Sequence, residues 1–147
     1  MNVFLLDFHT RLREWNTLRN NLAEKDIENI CIDNDAFWQQ CPMKNHYLHP
    51  DDVKNWPGPW ELLNDNVYCY YARALGMLYT LLLLGVETVD LVEVKYYNED
   101  NLVLLLVDNA KYVMNYWPNS VLNTDLSNIV ITKHINIDPI KIKIGNL

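Results

Sequence analysis

Residues 67–84 read Val-Tyr-Cys-Tyr-Tyr-Ala-Arg-Ala-Leu-Gly-Met-Leu-Tyr-Thr-Leu-Leu-Leu-Leu, and wound as a helix they are apolar on nearly every side. A helix without a polar face must be covered by other elements on most sides. Asn64-Asp65-Asn66 offers N-cap candidates before the run, and Gly85 follows it as a C′ stop, so the spacing predicts one buried central helix. Its most apolar stretch, residues 74–86, is interrupted by Gly76 and Thr80 and falls short of the roughly 18 to 20 residues that cross a bilayer. No membrane partner is expected, and the rest of the chain has to supply the wrapping.

Two kinds of segment are available for that. Upstream, Leu5, Phe8, Leu12, Trp15, Leu18 and Leu22 recur at three- and four-residue spacing with arginines and asparagines between them, which predicts an amphipathic helix. Ile27, Ile30 and Ile32 follow. Asp33-Asn34-Asp35 then reads as the N-cap region of a short helix that carries Phe37 and Trp38 and stops at Pro42. Residues 42–59 are rich in Pro, Asn, His and Asp and predict a loop with one helical turn after His49-Pro50. A connection that long inside a small domain is usually a binding or covering segment.

Downstream the pattern changes to strands. Residues 89–97, 102–107, 112–117 and 129–131 are rich in β-branched, aliphatic and aromatic side chains. Asp108-Asn109 is a turn signal that pairs the second and third strands antiparallel. In the tail, Ile135, Ile137, Ile140, Ile142 and Ile144 are set among polar residues, which predicts a final edge strand guarded by lysines. The expected class is α+β: N-terminal helices and a buried central helix packed on a C-terminal antiparallel sheet, in one domain over residues 1–147.

Composition narrows the function. Half of the 147 residues are hydrophobic, enough for a core, and the net charge of −7 opposes the phosphate-tracking surface that nucleic acid requires. No nucleic-acid partner is expected. Cys31, Cys41 and Cys69 are an odd number in a chain large enough to fold on its core, which fits reduced thiols in a cytoplasm. The opening Met1-Asn2-Val3-Phe4-Leu5-Leu6-Asp7 has no basic leader, so the protein is expected to stay where it is made. Abundant Asn, Tyr, Leu and Ile beside only four glycines is a bias of A·T-rich genomes, and on it we expect a bacteriophage origin, hence the host cytoplasm and the virion as locations.

Three groups of residues bear on chemistry. If Asn66 caps the central helix, Cys69 lies in its first turn, where unpaired N–H groups and the helix dipole favour a thiolate. The other reading of Cys69 is a small core residue beside Ala72 and Tyr68. Cys31, Cys41, His46 and His49 have the ligand types of a zinc site, although the gap between the two cysteines is far longer than usual; no metal or other cofactor is expected. Trp56-Pro57-Gly58-Pro59-Trp60 sets two indoles about a rigid turn, either as an anchor for a protein partner or as a roof over the central helix.

The order of these elements resembles the transglutaminase-like branch of the papain-like cysteine enzymes. Tyr68-Cys69-Tyr70-Tyr71-Ala72-Arg73-Ala74-Leu75-Gly76-Met77 is similar to that family's cysteine helix, Asn101-Leu102-Val103-Leu104-Leu105 to the strand that opens with its histidine, and Lys111 through Pro118 to the hairpin return that carries its aspartate. The resemblance implies Cys69, Asn101 and Asn115 as triad positions. At the histidine position the chain has Asp100-Asn101, and at the acid it has Asn115; neither residue type titrates near neutrality as imidazole does. Hairpin pairing would bring Asn101 and Asn115 together as a hydrogen-bonded relic of the site. The expectation is a catalytically degenerate transglutaminase-like domain that binds a protein partner or serves a phage as a structural component. The alternative is an active cysteine-dependent acyltransferase or hydrolase that recruits His46 or His49 as its base.

Overall fold

The computed structural model describes residues 2–44, 48–96 and 101–145. Five α-helices and a four-stranded antiparallel sheet form an α+β architecture, with the helices α1 (Phe8–Leu22), α2 (Ile27–Trp38), α3 (Pro59–Asp65) and α4 (Tyr70–Leu83) preceding the strands. The strands β1 (Val89–Tyr96), β2 (Asn101–Val107), β3 (Tyr112–Met114) and β4 (Ile129–His134) lie in the order β3-β2-β1-β4, and α5 (Asp138–Gly145) ends the described chain.

The central helix is α4, from Tyr71 to Leu81 buried at every position. Helices α2, α3 and α5 and strand β2 all pack on it. Gly76 permits the closest of these contacts, because a Cβ there would lie 2.5 Å from the ring of Trp38 on α2. One turn further on, the Thr80 hydroxyl accepts from the indole N–H groups of Trp15 at 2.9 Å and Trp38 at 3.1 Å, and donates to the Gly76 carbonyl at 2.9 Å. Two large aromatic bodies are thereby fixed on one small polar residue, with every polar atom satisfied.

Four sequence expectations change. Helix α2 does not begin at Asp33-Asn34-Asp35; it begins at Ile27, where the Asp26 carboxylate accepts from the Asn29 N–H at 2.9 Å. Asn34 and Asp35 are therefore helix-interior residues and buried. The tail is helix rather than edge strand: Pro139 sits in the first turn of α5, where its missing N–H is harmless, and Ile137, Ile140 and Ile144 satisfy a helical spacing as well as an alternating one. The third strand ends at Met114, three residues early, because Asn115 turns into the left-handed region at φ +70°. Helix α4 starts at Tyr70, with Asn66 at φ +53° ending α3.

The sheet has two faces. Leu91, Val103, Leu105 and Val107 join the main core, while Val92, Val94, Leu104 and Val113 form a second cluster covered by Tyr116 and Leu126. The long connection behaves as a covering segment in its described part. Leu48, Val53 and Trp56 are buried, Met43 bridges in parallel to Tyr68, and the Lys44 N–H reaches the Tyr68 carbonyl at 2.8 Å. Trp56 packs at a tilt with its ring centroid 5.5 Å from that of Tyr71 on α4, whereas Trp60 packs on Trp15 and keeps 44% of its surface exposed. Among the described residues no helix is long and apolar enough to cross a membrane.

Candidate functional site

Cys69 is the N-cap of α4, one position before the first turn expected for it. Its backbone is extended (φ −122°, ψ −177°), its carbonyl accepts the first helical bond from the Arg73 N–H at 2.9 Å, and its thiol caps no backbone group. The side chain is half-buried and lines a cleft of about 230 Å³ with Tyr70, Tyr71, Glu93, Asn101 and Val103. Asn101 therefore shares the cleft with Cys69. Its amide donates across the strand pair to Glu93 Oε1 at 2.9 Å.

Asn115 lies elsewhere, and the hairpin explains why. A two-residue turn at Asp108-Asn109 would bring Asn101 beside Asn115. The loop instead has four residues, 108–111, with Asp108, Asn109 and Ala110 all at positive φ, and Val107 pairs Tyr112. That register sets Met114 opposite Leu105, so Asn115 follows beside Leu104 and Val103, well short of Asn101. Asn115 Nδ2 donates to the carbonyls of Val103 at 2.8 Å and Tyr70 at 3.0 Å, and its Oδ1 accepts from Arg73 Nε at 2.5 Å. Its backbone N–H donates to the Asp35 carboxylate at 2.9 Å. Asn is suited to this position because it tolerates the left-handed conformation and presents donor and acceptor on one side chain.

Around Asn115 a buried polar group gathers that the sequence reading did not assemble. Burial raises the pKa of Asp35 above the ordinary carboxylate range, against the smaller opposing effects of the Asn115 N–H, Gln39 and the Arg73 charge. Desolvation likewise lowers the pKa of Arg73 from its usual value, which favours giving the guanidinium an anionic neighbour. Arg73 is 7% exposed, its Nε is held by Asn115, and its Cζ lies 5.5 Å from the centroid of the Tyr70 ring. It lines a second cleft, of about 340 Å³, with Gln39, Tyr70, Leu102, Tyr116 and Trp117. The signal in the sequence was a lone cation in an otherwise apolar helix, and Asp35 was hidden by its resemblance to a cap.

The remaining candidates are dispersed. His46 and Asp100 lie outside the described residues. His49 is exposed on the covering segment; its Nδ1 accepts from the Asp51 N–H at 3.1 Å and lies 3.8 Å from the Asp51 carboxylate, which also pairs with Lys133. Cys31 and Cys41 are buried thiols whose pKa values are pushed up to about 12, chiefly by desolvation. Among the described residues no three His, Cys, Asp or Glu side chains converge as metal ligands would.

Compared with known proteins, the chain matches no protein-family model and no curated protein.

Proposed function

We propose that this chain is a binding domain on a transglutaminase-like plan, in which the triad positions have been taken over by structure. The observation that carries the reading is the engagement of Asn115: both N–H groups of its amide and its oxygen are held by protein groups. A residue so held is committed to the fold rather than to orienting an imidazole, which is the task of the third member of a triad. Asn101 likewise spends its amide on a hydrogen bond to Glu93. Exposed aromatics support a binding role, with Tyr70 at 49% and Trp117 at 68% exposure beside the Arg73 cleft. The A·T-type composition supports placing that role in a bacteriophage, in the host cytoplasm or the virion.

The test is the rate of iodoacetamide alkylation at each cysteine, read by mass spectrometry in the native chain and in urea. As a bystander, native Cys69 reacts no faster than it does in the unfolded chain, while buried Cys31 and Cys41 stay protected until unfolding. A native rate about tenfold or more above the unfolded one would mark an activated thiolate and return the chain to the cysteine-dependent acyltransferases and hydrolases.

A further inference from the structure

Arg73 contributes a forked cation to the second cleft with only part of its hydrogen-bonding capacity used. Its Nε is bound to Asn115, and among the described residues its two terminal nitrogens have no hydrogen-bond partner. Those nitrogens are not sealed in the interior either, since they are absent from the buried, unsatisfied polar atoms while the side chain lines the cleft. Asp35, whose charge acts on Arg73, touches the network through the Asn115 N–H and among the described residues forms no ion pair with the guanidinium. A nine-tenths-buried cation with a free fork facing an opening is an anion site, because the low dielectric around it strengthens a short-range pair.

We propose that the Arg73 cleft binds a single peptide carboxylate, with an aromatic or aliphatic group of the same peptide laid against Tyr70, Tyr116 and Trp117. Two planar N–H groups match the two oxygens of a carboxylate. The aromatic lining suits an apolar neighbour of that carboxylate. Net charge selects against the other common anions: the chain carries −7, so a phosphate dianion or a polyanion would meet long-range repulsion with one local cation to offset it. The acceptor side of Gln39 is oriented by the bonds its Nε2 makes to the Tyr116 carbonyl at 3.2 Å and Asp35 at 3.5 Å, which ties the floor of the cleft to its aromatic rim.

This inference rests on the binding reading above and names its ligand, and the two fail separately: alkylation of Cys69 decides the first, a ligand titration the second. The titration uses the full chain and follows the indole N–H of Trp117 and the Nε–H of Arg73 by NMR. The probes are N-acetylphenylalanine, its carboxamide, the peptide acetyl-Phe-Glu-amide and inorganic phosphate. A saturable shift of both signals by N-acetylphenylalanine at a Kd of about 1 mM, ordinary for a fragment of that size, with no shift by the carboxamide, is the expected result. Preference for N-acetylphenylalanine assigns a C-terminal carboxylate, and preference for acetyl-Phe-Glu-amide an acidic side chain. Equal binding of the carboxamide, tighter binding of phosphate, or no shift up to about 10 mM of any probe overturns the proposal. Arg73→Lys should weaken binding about tenfold. Because that change also touches Asn115, the exposed Trp117→Ala serves as the second variant, with an expected loss of about fivefold on an unperturbed fold.

Discussion

Arg11 and Arg73 are buried to nearly the same degree, at 8% and 7% exposure, yet the chain surrounds them differently. Arg11 sits on α1 and directs Nε to the Leu63 carbonyl at 2.8 Å, one terminal nitrogen to the Asn64 carbonyl at 3.3 Å and the other to the Leu6 carbonyl. Two of those acceptors belong to the last turn of α3, where carbonyls lack helical partners and a cation is favoured. Arg11 is a clamp that the protein saturates by itself. Among the described residues Arg73 meets one acceptor, and it opens on a cleft. Burial of a charge therefore does not distinguish a structural arginine from a functional one; the number of donors the protein leaves open does.

The comparison can be broken most directly by matched substitutions. Arg11→Lys should lower stability by about 3 kcal/mol, since one ammonium cannot span three carbonyls, whereas Arg73→Lys, losing one bond, should lower it by about 1 kcal/mol. Urea unfolding of both variants checks this, and equal losses would erase the distinction. Next in size is Asn115→Asp, which places an acid at that position. The left-handed backbone accepts Asp, but an oxygen would replace the amide that now serves two carbonyls. We expect a loss of about 2 kcal/mol despite attraction to Arg73. A neutral or stabilising result would mean that the surroundings of Asn115 accept an acid as well as the amide.

A smaller effect concerns what neutralises Arg73. Burial raises the folded-state pKa of Asp35 above its ordinary value of 3.8. The native chain thus holds that proton more tightly than the unfolded one, and the contribution of Asp35 is complete below about pH 4 and lost as pH rises through the folded-state value. Asp35→Asn keeps an acceptor for the Asn115 N–H and removes the titration. Its stability relative to the parent should therefore improve as pH rises from about 4 through the folded-state pKa and then level off, measured by urea unfolding at each pH. The opposite slope would show Asp35 and Arg73 to be a true ion pair, leaving no free cation for a ligand. The smallest change is expected for Trp117→Ala, within about 0.5 kcal/mol of the parent, because an exposed ring contributes little to the core.

Much of this architecture could be read from the chain, and the omissions have physical causes. The central helix follows from its continuous apolar run, α1 from its three- and four-residue spacing, and the four strands from segments of β-favouring residues. The errors cluster where one residue type serves two purposes. Asn66, one of three N-cap candidates, ends a helix instead, since Asn caps N-termini with its side chain and C-termini with its left-handed backbone. Asp33-Asn34-Asp35 looked like a cap because acids and amides are rarely buried, and two of the three are. Ile137, Ile140 and Ile144 fit both periods, and only Asp138-Pro139 pointed to the helical one. For the site, Cys69 and Asn101 were brought into one cleft, but the position of Asn115 depended on a loop two residues longer than the turn signal. The pairing of Arg73 with Asn115 spans 42 residues and no local pattern encodes it.

The span of those bonds has a kinetic consequence. Asn115 joins Val103 at a separation of 12 residues, Arg73 at 42, Tyr70 at 45 and Asp35 at 80, so its bonds are complete only when α2, α4 and β2 are already assembled. Closing the longest of these loops is entropically the most demanding, and the network should be absent from the folding transition state. Substitutions at Asn115 would then leave the refolding rate nearly unchanged and accelerate unfolding, making this residue a latch on the lifetime of the native chain.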